Sequence, residues 1–359
     1  MKTRELSKRI GAVAGAGFLA ASMSLGAAAE EKDSFRIAWT IYAGWVPWDY
    51  AEESGIMKKW ADKYDIEVDI VQVNDYIESI NQYTAGQFDG VVATSMDGLS
   101  IPAASGVDTT ALIVGDYSDG NDGLVSKDAD SIEDLKGETV HLVELSVSHY
   151  LLVRALDSVG LEERDLKVVN ISDADLVSAF QTDEVRHVAT WNPLLTEVAA
   201  MPGVTPLFDS SQIPGHIKDL TLVNSETLED NPKLGKALVG AWYETMSILR
   251  SDSEEGREAR AMLGEVSGTD REGYEEQLAG MRMFWEPENA VEFINSDQAR
   301  QAMDDVRQFS FDKGLLGQGA TSPDFVGIEF PDGSVMGDES NVKFRFSDTY
   351  MEMAADGEL

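Results

Sequence analysis

The chain has 359 residues, with 28 Lys+Arg against 65 Asp+Glu for a formal net charge of −37, four His and no Cys. Without Cys there can be no disulfide, no thiol catalysis and no Cys metal site, and so negative a chain is repelled by nucleic acid and by anionic membrane surfaces. The acids are spread along the whole sequence rather than gathered in a tail, which reads as a haloadapted surface whose self-repulsion is screened at high salt.

The N-terminus has the pattern of an export signal. Lys2, Arg4, Lys8 and Arg9 precede an apolar stretch from Ile10 to Leu25, and Ala27, Ala28 and Ala29 offer a small-residue cleavage site. The stretch is rich in Gly, Ala and Ser and falls short of the about 20 apolar residues of a spanning helix. No Cys follows it for a lipid anchor. A soluble, periplasmic mature chain is expected, cleaved near Ala29, and its roughly 330 residues suffice for two domains.

After the signal, short apolar runs alternate with amphipathic segments. Phe35–Ile41 reads as a strand, Pro47–Tyr64 as a helix with Pro in its first turn, and Ile66–Val73 as an alternating strand. Asp75–Gly86 is a capped helix, Phe88–Ala93 a strand, Asp97–Ala104 a short helix and Thr109–Gly115 a strand. A second unit follows: strands at Thr139–Leu142, Leu166–Asn170 and Arg186–Thr190 alternate with helices at Ser131–Leu135, Ser146–Gly160, Asp173–Phe180 and Pro193–Ala200. Leu220–Asn224 returns to strand, and from Glu226 the chain is expected to be mostly helical.

This alternation predicts an α/β protein of parallel sheets with right-handed crossovers. Two such units followed by a helical C-terminal region suggest two lobes, with crossings near Asp122–Lys127 and Lys218–Val223. Lobe 1 would be discontinuous, residues 30–123 and 221–359, and lobe 2 would be the insert 124–220. Ligands of open α/β sheets bind outside the carboxyl ends of strands, which here face an inter-lobe cleft that hinge closure can shut.

Particular strings then carry a resemblance. Trp45–Tyr50 (WVPWDY), Asp75–Gly90, Gly115–Asp122 (GDYSDGND), Asp134–Gly137, Ser146–Leu152 (SVSHYLL) and Thr190–Pro193 (TWNP) occur in order. They resemble the nitrate/sulfonate/taurine-type substrate-binding proteins of ABC importers. Gly240–Met246, Ser310–Asp312 and Asp348–Tyr350 extend the likeness to the subgroup found with urea carboxylase-type genes. The resemblance implies a two-lobed periplasmic-binding-protein fold of the second topological type and no catalysis. It further implies delivery to a membrane permease with its ATPase, and a small nitrogen-rich ligand such as urea or guanidine.

The candidate ligand contacts sit where strands end. Asp97, Asp116 and Glu144 each follow a predicted strand and can aim a carboxylate into the cleft, although Asp97 also fits a helix cap. An anion such as nitrate or a sulfonate would want Arg, Lys or a helix N-terminus there, and no basic residue stands at these ends. A guanidinium donates hydrogen bonds from every nitrogen, so carboxylates and an aromatic face suit it. Neutral urea would also need a donor, for which Asn192, Ser95 or Ser146 are placed. Trp45 in the loop after the first strand and Trp191 at the end of Arg186–Thr190 are the expected aromatic walls, with Tyr42 beside Trp45. Tyr117 and His149 are supporting candidates, whereas Trp242 and Trp285 read as packing.

The leading expectation is a monomeric guanidine or urea receptor with no cofactor, no metal and no nucleic-acid partner. Other small ligands of the same superfamily are the alternatives: an aminopyrimidine thiamine precursor, taurine or another sulfonate, or nitrate. A periplasmic hydrolase using paired carboxylates is disfavoured, because no nucleophile motif or metal constellation accompanies the acids.

Overall fold

Strand placement follows the apolar runs. The computed structural model describes residues 32–359, and the export-signal reading of 1–29 lies outside the described residues. β1 (Ser34–Trp39) buries Phe35, Ile37, Ala38 and Trp39 and pairs in parallel with β2 (Glu67–Gln72) and β3 (Gly90–Thr94). β3 is buried along its whole length, as a strand covered on both faces should be. β4 (Thr109–Ser118) runs further than its apolar run predicts, because its last residues, Asp116 to Ser118, remain in the sheet.

From β4 the chain crosses to a second sheet. β5 (Asp122–Ser126), β6 (Thr139–Leu142), β7 (Lys167–Asn170), β8 (His187–Trp191) and β9 (Thr205–Asp209) form it in the order β7-β6-β8-β5-β9. The return strand β10 (Lys218–Asn224) enters the first sheet between β3 and β4, antiparallel to both. It begins a few residues ahead of the boundary expected at 221. The two crossings are tied together: Ser118 Oγ lies 2.6 Å from Ser210 Oγ, and Gly120 N–H donates to Ser210 Oγ at 2.7 Å.

The helical reading of the C-terminal region is only partly correct. Helices do span Pro232–Leu249, Glu254–Val266, Arg271–Ala279, Pro287–Ile294 and Asp297–Asp312. Between and after them, β11 (Met281–Met283), β12 (Gly327–Glu329), β13 (Val335–Met336) and β14 (Val342–Phe346) complete the first sheet. Three of these have two or three residues, too few to register as a period-2 pattern; β12 and β13 form a local hairpin, while β11 pairs with the distant β4. The single helix expected over 47–64 is two, Pro47–Glu53 and Ile56–Lys63, because Gly55 at φ +78° breaks the ladder between them. The helix expected over 97–104 is a four-residue turn, Ser95–Gly98, running into a π-helical segment that accommodates Pro102.

One hydrophobic core joins residues of both sheets, from Ile37 and Val91 to Leu142 and Trp191. A smaller cluster around Leu176, Phe180 and Val188 serves the far side of the second sheet. Trp242 packs on Trp48 at 5.1 Å, as its packing assignment predicted.

Candidate functional site

The site is built where β4 and β10 lie side by side at the crossings. In antiparallel strands, register partners project from the same face, and Asp219 of β10 is the partner of Asp116 on β4 and of Thr94 on β3. Three polar side chains thus share one rung of the sheet. The loop after β1 closes over them: a turn from Trp45 N–H to Tyr42 C=O at 2.8 Å aims both rings inward. Gly44 permits that approach, since a Cβ there would lie 2.6 Å from Asp116 Oδ2.

From the second sheet, Asp122 opens β5 and Trp191 ends β8, and the two are register partners. Tyr42, Trp45, Tyr76, Thr94, Asp122, Trp191 and Asp219, with Val147 and Ile217, enclose a small, tightly closed cavity of ≈ 10 Å³. Its rings form an unbroken arc. Tyr42 and Trp45 lie 5.0 Å apart, Trp45 and Tyr76 5.3 Å, and Tyr76 and Trp191 5.7 Å between centroids.

Behind the arc, Tyr76 O–H and Thr94 O–H donate to Asp97 Oδ2 at 2.6 and 2.8 Å. Thr94, not Asp97, caps the short helix, accepting the Asp97 N–H at 3.3 Å. Asp97 Oδ1, both oxygens of Asp116, Asp122 Oδ2 and Asp219 Oδ2 are buried without a hydrogen-bond partner in the protein. Tyr42 O–H and Trp45 Nε1–H lean toward Asp219 and fall short of hydrogen-bond geometry.

All four carboxyls are buried, with 0–2% exposure. No Lys or Arg lines the cavity among the described residues. Loss of hydration therefore raises every one of their pKa values: Asp97 to about 6 despite its two hydroxyl donors, and Asp122 to about 8. Burial raises Asp116 as well, with Asp219 opposing the rise as a hydrogen-bond partner and the charge of Asp122 adding to it, and Asp219 is raised by burial first and then by Asp116 beside it. Lys218, the next residue along β10, is buried on the opposite face near Asp305, and burial lowers it to about 7. No cluster of metal-ligating side chains occurs among the described residues.

Of the residues singled out from sequence, Tyr42, Trp45 and Trp191 line the cavity, while Asp97 and Asp116 stand behind it, Asp97 bonded to Tyr76 and Thr94 and Asp116 beside Asp219. Glu144 does not: it is exposed, and its backbone N–H donates to Asn170 Oδ1. Strand β6 stops at Leu142, so Glu144 falls in the turn beyond it. Ser146 caps the helix Val147–Ser158, accepting Ser148 N–H and donating to Val143 C=O, while its neighbour Val147 lines the cavity. Asn192 is occupied by the crossing, bonded through Nδ2 to Asn121 and through Oδ1 to Thr196. Tyr117, on the face opposite Asp116, packs on Phe293 at 5.2 Å. His149 bonds Glu163, and Ser95 is buried in the short helix.

Sequence reasoning missed Asp122, Asp219 and Tyr76. Both aspartates lie in the segments read as crossings, and the crossing of a two-lobed chain is itself the signal that could have found them. A larger, more open groove of ≈ 500 Å³ lies beyond Trp191, lined by Ile41, Val73, Leu194 and Val266 among others. It lacks the convergence of rings and unpartnered carboxylates, so the closed cavity is the better candidate.

Two mixed sheets joined by paired crossings, with a closed polar cavity at the junction, define a periplasmic-binding-protein fold. Residues 28–264, about two thirds of the chain, match the NMT1-like family, and the chain belongs to it. The solved periplasmic aliphatic sulphonate binding protein of Escherichia coli superposes with a TM-score of 0.65 at 19% identity, covering 80% of this chain and 94% of that one. The periplasmic nitrate-binding protein of Synechocystis PCC 6803 gives 0.57 at 11% identity, covering 90% and 99%. In sequence, 138 residues are 29% identical to a protein of Escherichia coli (strain K12) named for binding aliphatic sulfonates, 38% of this chain and 42% of that protein. The chain thus spans less than half the length of that curated relative.

Proposed function

We propose that this protein is the solute receptor of an ABC importer and captures a small, N–H-rich cation, guanidinium above all, in the cavity between its two sheets. The observation that carries the reading is the set of four buried carboxyls with unpartnered oxygens and no cation beside them. A buried carboxylate without a partner is strongly disfavoured, and a cationic ligand supplies the partner. Guanidinium offers hydrogen bonds in a plane to Asp122 and Asp219, with Asp116 adding its charge from beside Asp219, and flat faces to Trp45 and Trp191. An anion has no counter-charge in this cavity.

In this reading residues 30–123 with 221–359 form one lobe and 124–220 the other, and closure about the crossings traps the ligand. Asp122 and Trp191 arrive from the second lobe and Asp116 and Asp219 from the first, so neither lobe has the full site alone. The expected location is the periplasm, with delivery to a permease and its ATPase. The similar proteins are named for sulfonates, taurine and nitrate, and those ligands are the rival reading along with urea.

A thermal-shift and calorimetry screen of guanidinium, urea, taurine and nitrate in molar salt tests the proposal, because a ligand of the native state raises the melting temperature. Guanidinium is expected to give the largest shift. Tight binding of taurine or nitrate with none of guanidinium would sink the cationic site.

A further inference from the structure

Charge balance within the cavity constrains the protonation of its carboxyls, an inference that rests on the function just proposed. Asp116 is 0% and Asp219 2% exposed, on adjacent strands in one rung. Gly44 presses the loop backbone against Asp116 Oδ2, so little room is left for solvent on that side. Two carboxylates held together in an apolar enclosure cannot both ionise without a counter-charge.

The surrounding elements supply none. Tyr42 and Trp45 face the pair from the loop after β1. Asp97 and Asp122 bring further acids and no cation, Asp122 being kept largely protonated at pH 7 by the burial that raises it to about 8, and Tyr274, whose O–H donates to Ala43 C=O at 3.1 Å, closes the back. Lys218 projects from the other face of β10, and the pull on its ammonium comes from Asp305.

We propose that Asp116 and Asp219 share one proton in the unliganded protein and that a bound cation displaces it, so that capture of the ligand and release of a proton are one event. The exchange is balanced: one positive charge enters, the O–H bond between the carboxyls breaks heterolytically, and H⁺ passes to the solvent. Raising the pH therefore favours capture, and the dissociation constant falls by about tenfold per pH unit wherever one proton is displaced. The site would thereby select cations by charge exchange, since neutral urea has nothing to trade for the proton.

Calorimetry of guanidinium binding at pH 7, in buffers of different ionisation enthalpy, reads the number of protons released. Asp219→Asn is expected to release about one proton fewer than the parent, any proton given up by Asp122 being common to both, with Glu144→Gln behaving as the parent. Saturable guanidinium binding with equal proton release by the parent and Asp219→Asn would overturn the exchange while leaving the receptor function standing. If guanidinium does not bind, the functional reading fails, and infrared spectroscopy of the unliganded protein still decides the shared proton. A protonated-carboxyl band at pH 7 that remains in Asp122→Asn, where the separately protonated Asp122 is gone, and disappears when either Asp116→Asn or Asp219→Asn is added to it supports the shared proton. Absence of that band from Asp122→Asn overturns it, and the two double variants guard against either one failing to fold.

Discussion

Asp122, the first residue of β5, and Trp191, the last of β8, occupy one rung of the second sheet and both border the closed cavity. A carboxyl and an indole are thereby delivered together, on one rigid ladder, to the point where the chain passes between sheets. Any movement of the second sheet carries both. That coupling is why closure and ligand recognition are expected to be inseparable here.

Removing Asp219 should weaken guanidinium binding more than it harms the fold. A hydrogen bond to a charged group contributes about 1.5–3 kcal/mol, so Asp219→Asn is expected to raise the dissociation constant roughly ten- to hundredfold. The unliganded variant should melt no lower than the parent, because an unpartnered buried carboxyl adds little to stability. Calorimetry beside a thermal melt checks both halves. A large fall in melting temperature with unchanged affinity would mean the carboxyl is structural.

The aromatic arc should matter through its faces. Trp191→Ala is expected to reduce affinity about tenfold or more, a desolvated cation–π contact being worth about 2 kcal/mol. Trp191→Phe should recover part of the loss. Equal losses in the two variants would argue that the indole acts by shape alone.

Asp122 makes a pH prediction with a definite sign. Its folded pKa, about 8, lies above the usual value for an unfolded Asp, so between about pH 4 and 8 the native state binds more protons than the unfolded one. The contribution of this residue to stability therefore falls as pH rises through that window. Asp122→Asn should gain on the parent across it, by several degrees of melting temperature at pH 8, and the gain should flatten above. Comparing variant with parent cancels His149 and His216, which burial lowers to about 4 and which act in the opposite direction. A difference that does not change with pH would rule this account out.

Glu144→Gln should leave guanidinium affinity unchanged, since the side chain is exposed and outside the cavity. A tenfold loss would mean that the liganded form draws the 143–146 turn into the site.

Salt should stabilise the whole molecule. With a net charge of −37, repulsion between surface acids is long-ranged at low salt, and raising ionic strength from 0.1 M to 1 M cuts the screening length from about 10 Å to about 3 Å. The melting temperature is expected to climb through that range. A flat response would remove the haloadapted reading of the acids.

Much of this protein could be read from its residues in order. Local hydrophobic period and capping determine the alternating strands and helices of residues 34–224, because those signals act within one turn or one pleat. The loop rings Tyr42 and Trp45, and Asp97, Asp116 and Trp191, were legible because each lies beside an end of a recognisable strand. What tertiary structure alone decided was which acids meet. Asp116 and Asp219 are neighbours only because β10 returns from the second sheet to lie against β4, and no period in the sequence encodes that pairing. The same holds for β11 and β14, which both pair with the distant β4, and for Glu144, which strand length carried past the cavity. In so acidic a chain composition cannot separate a site from a surface; burial without a counter-charge can.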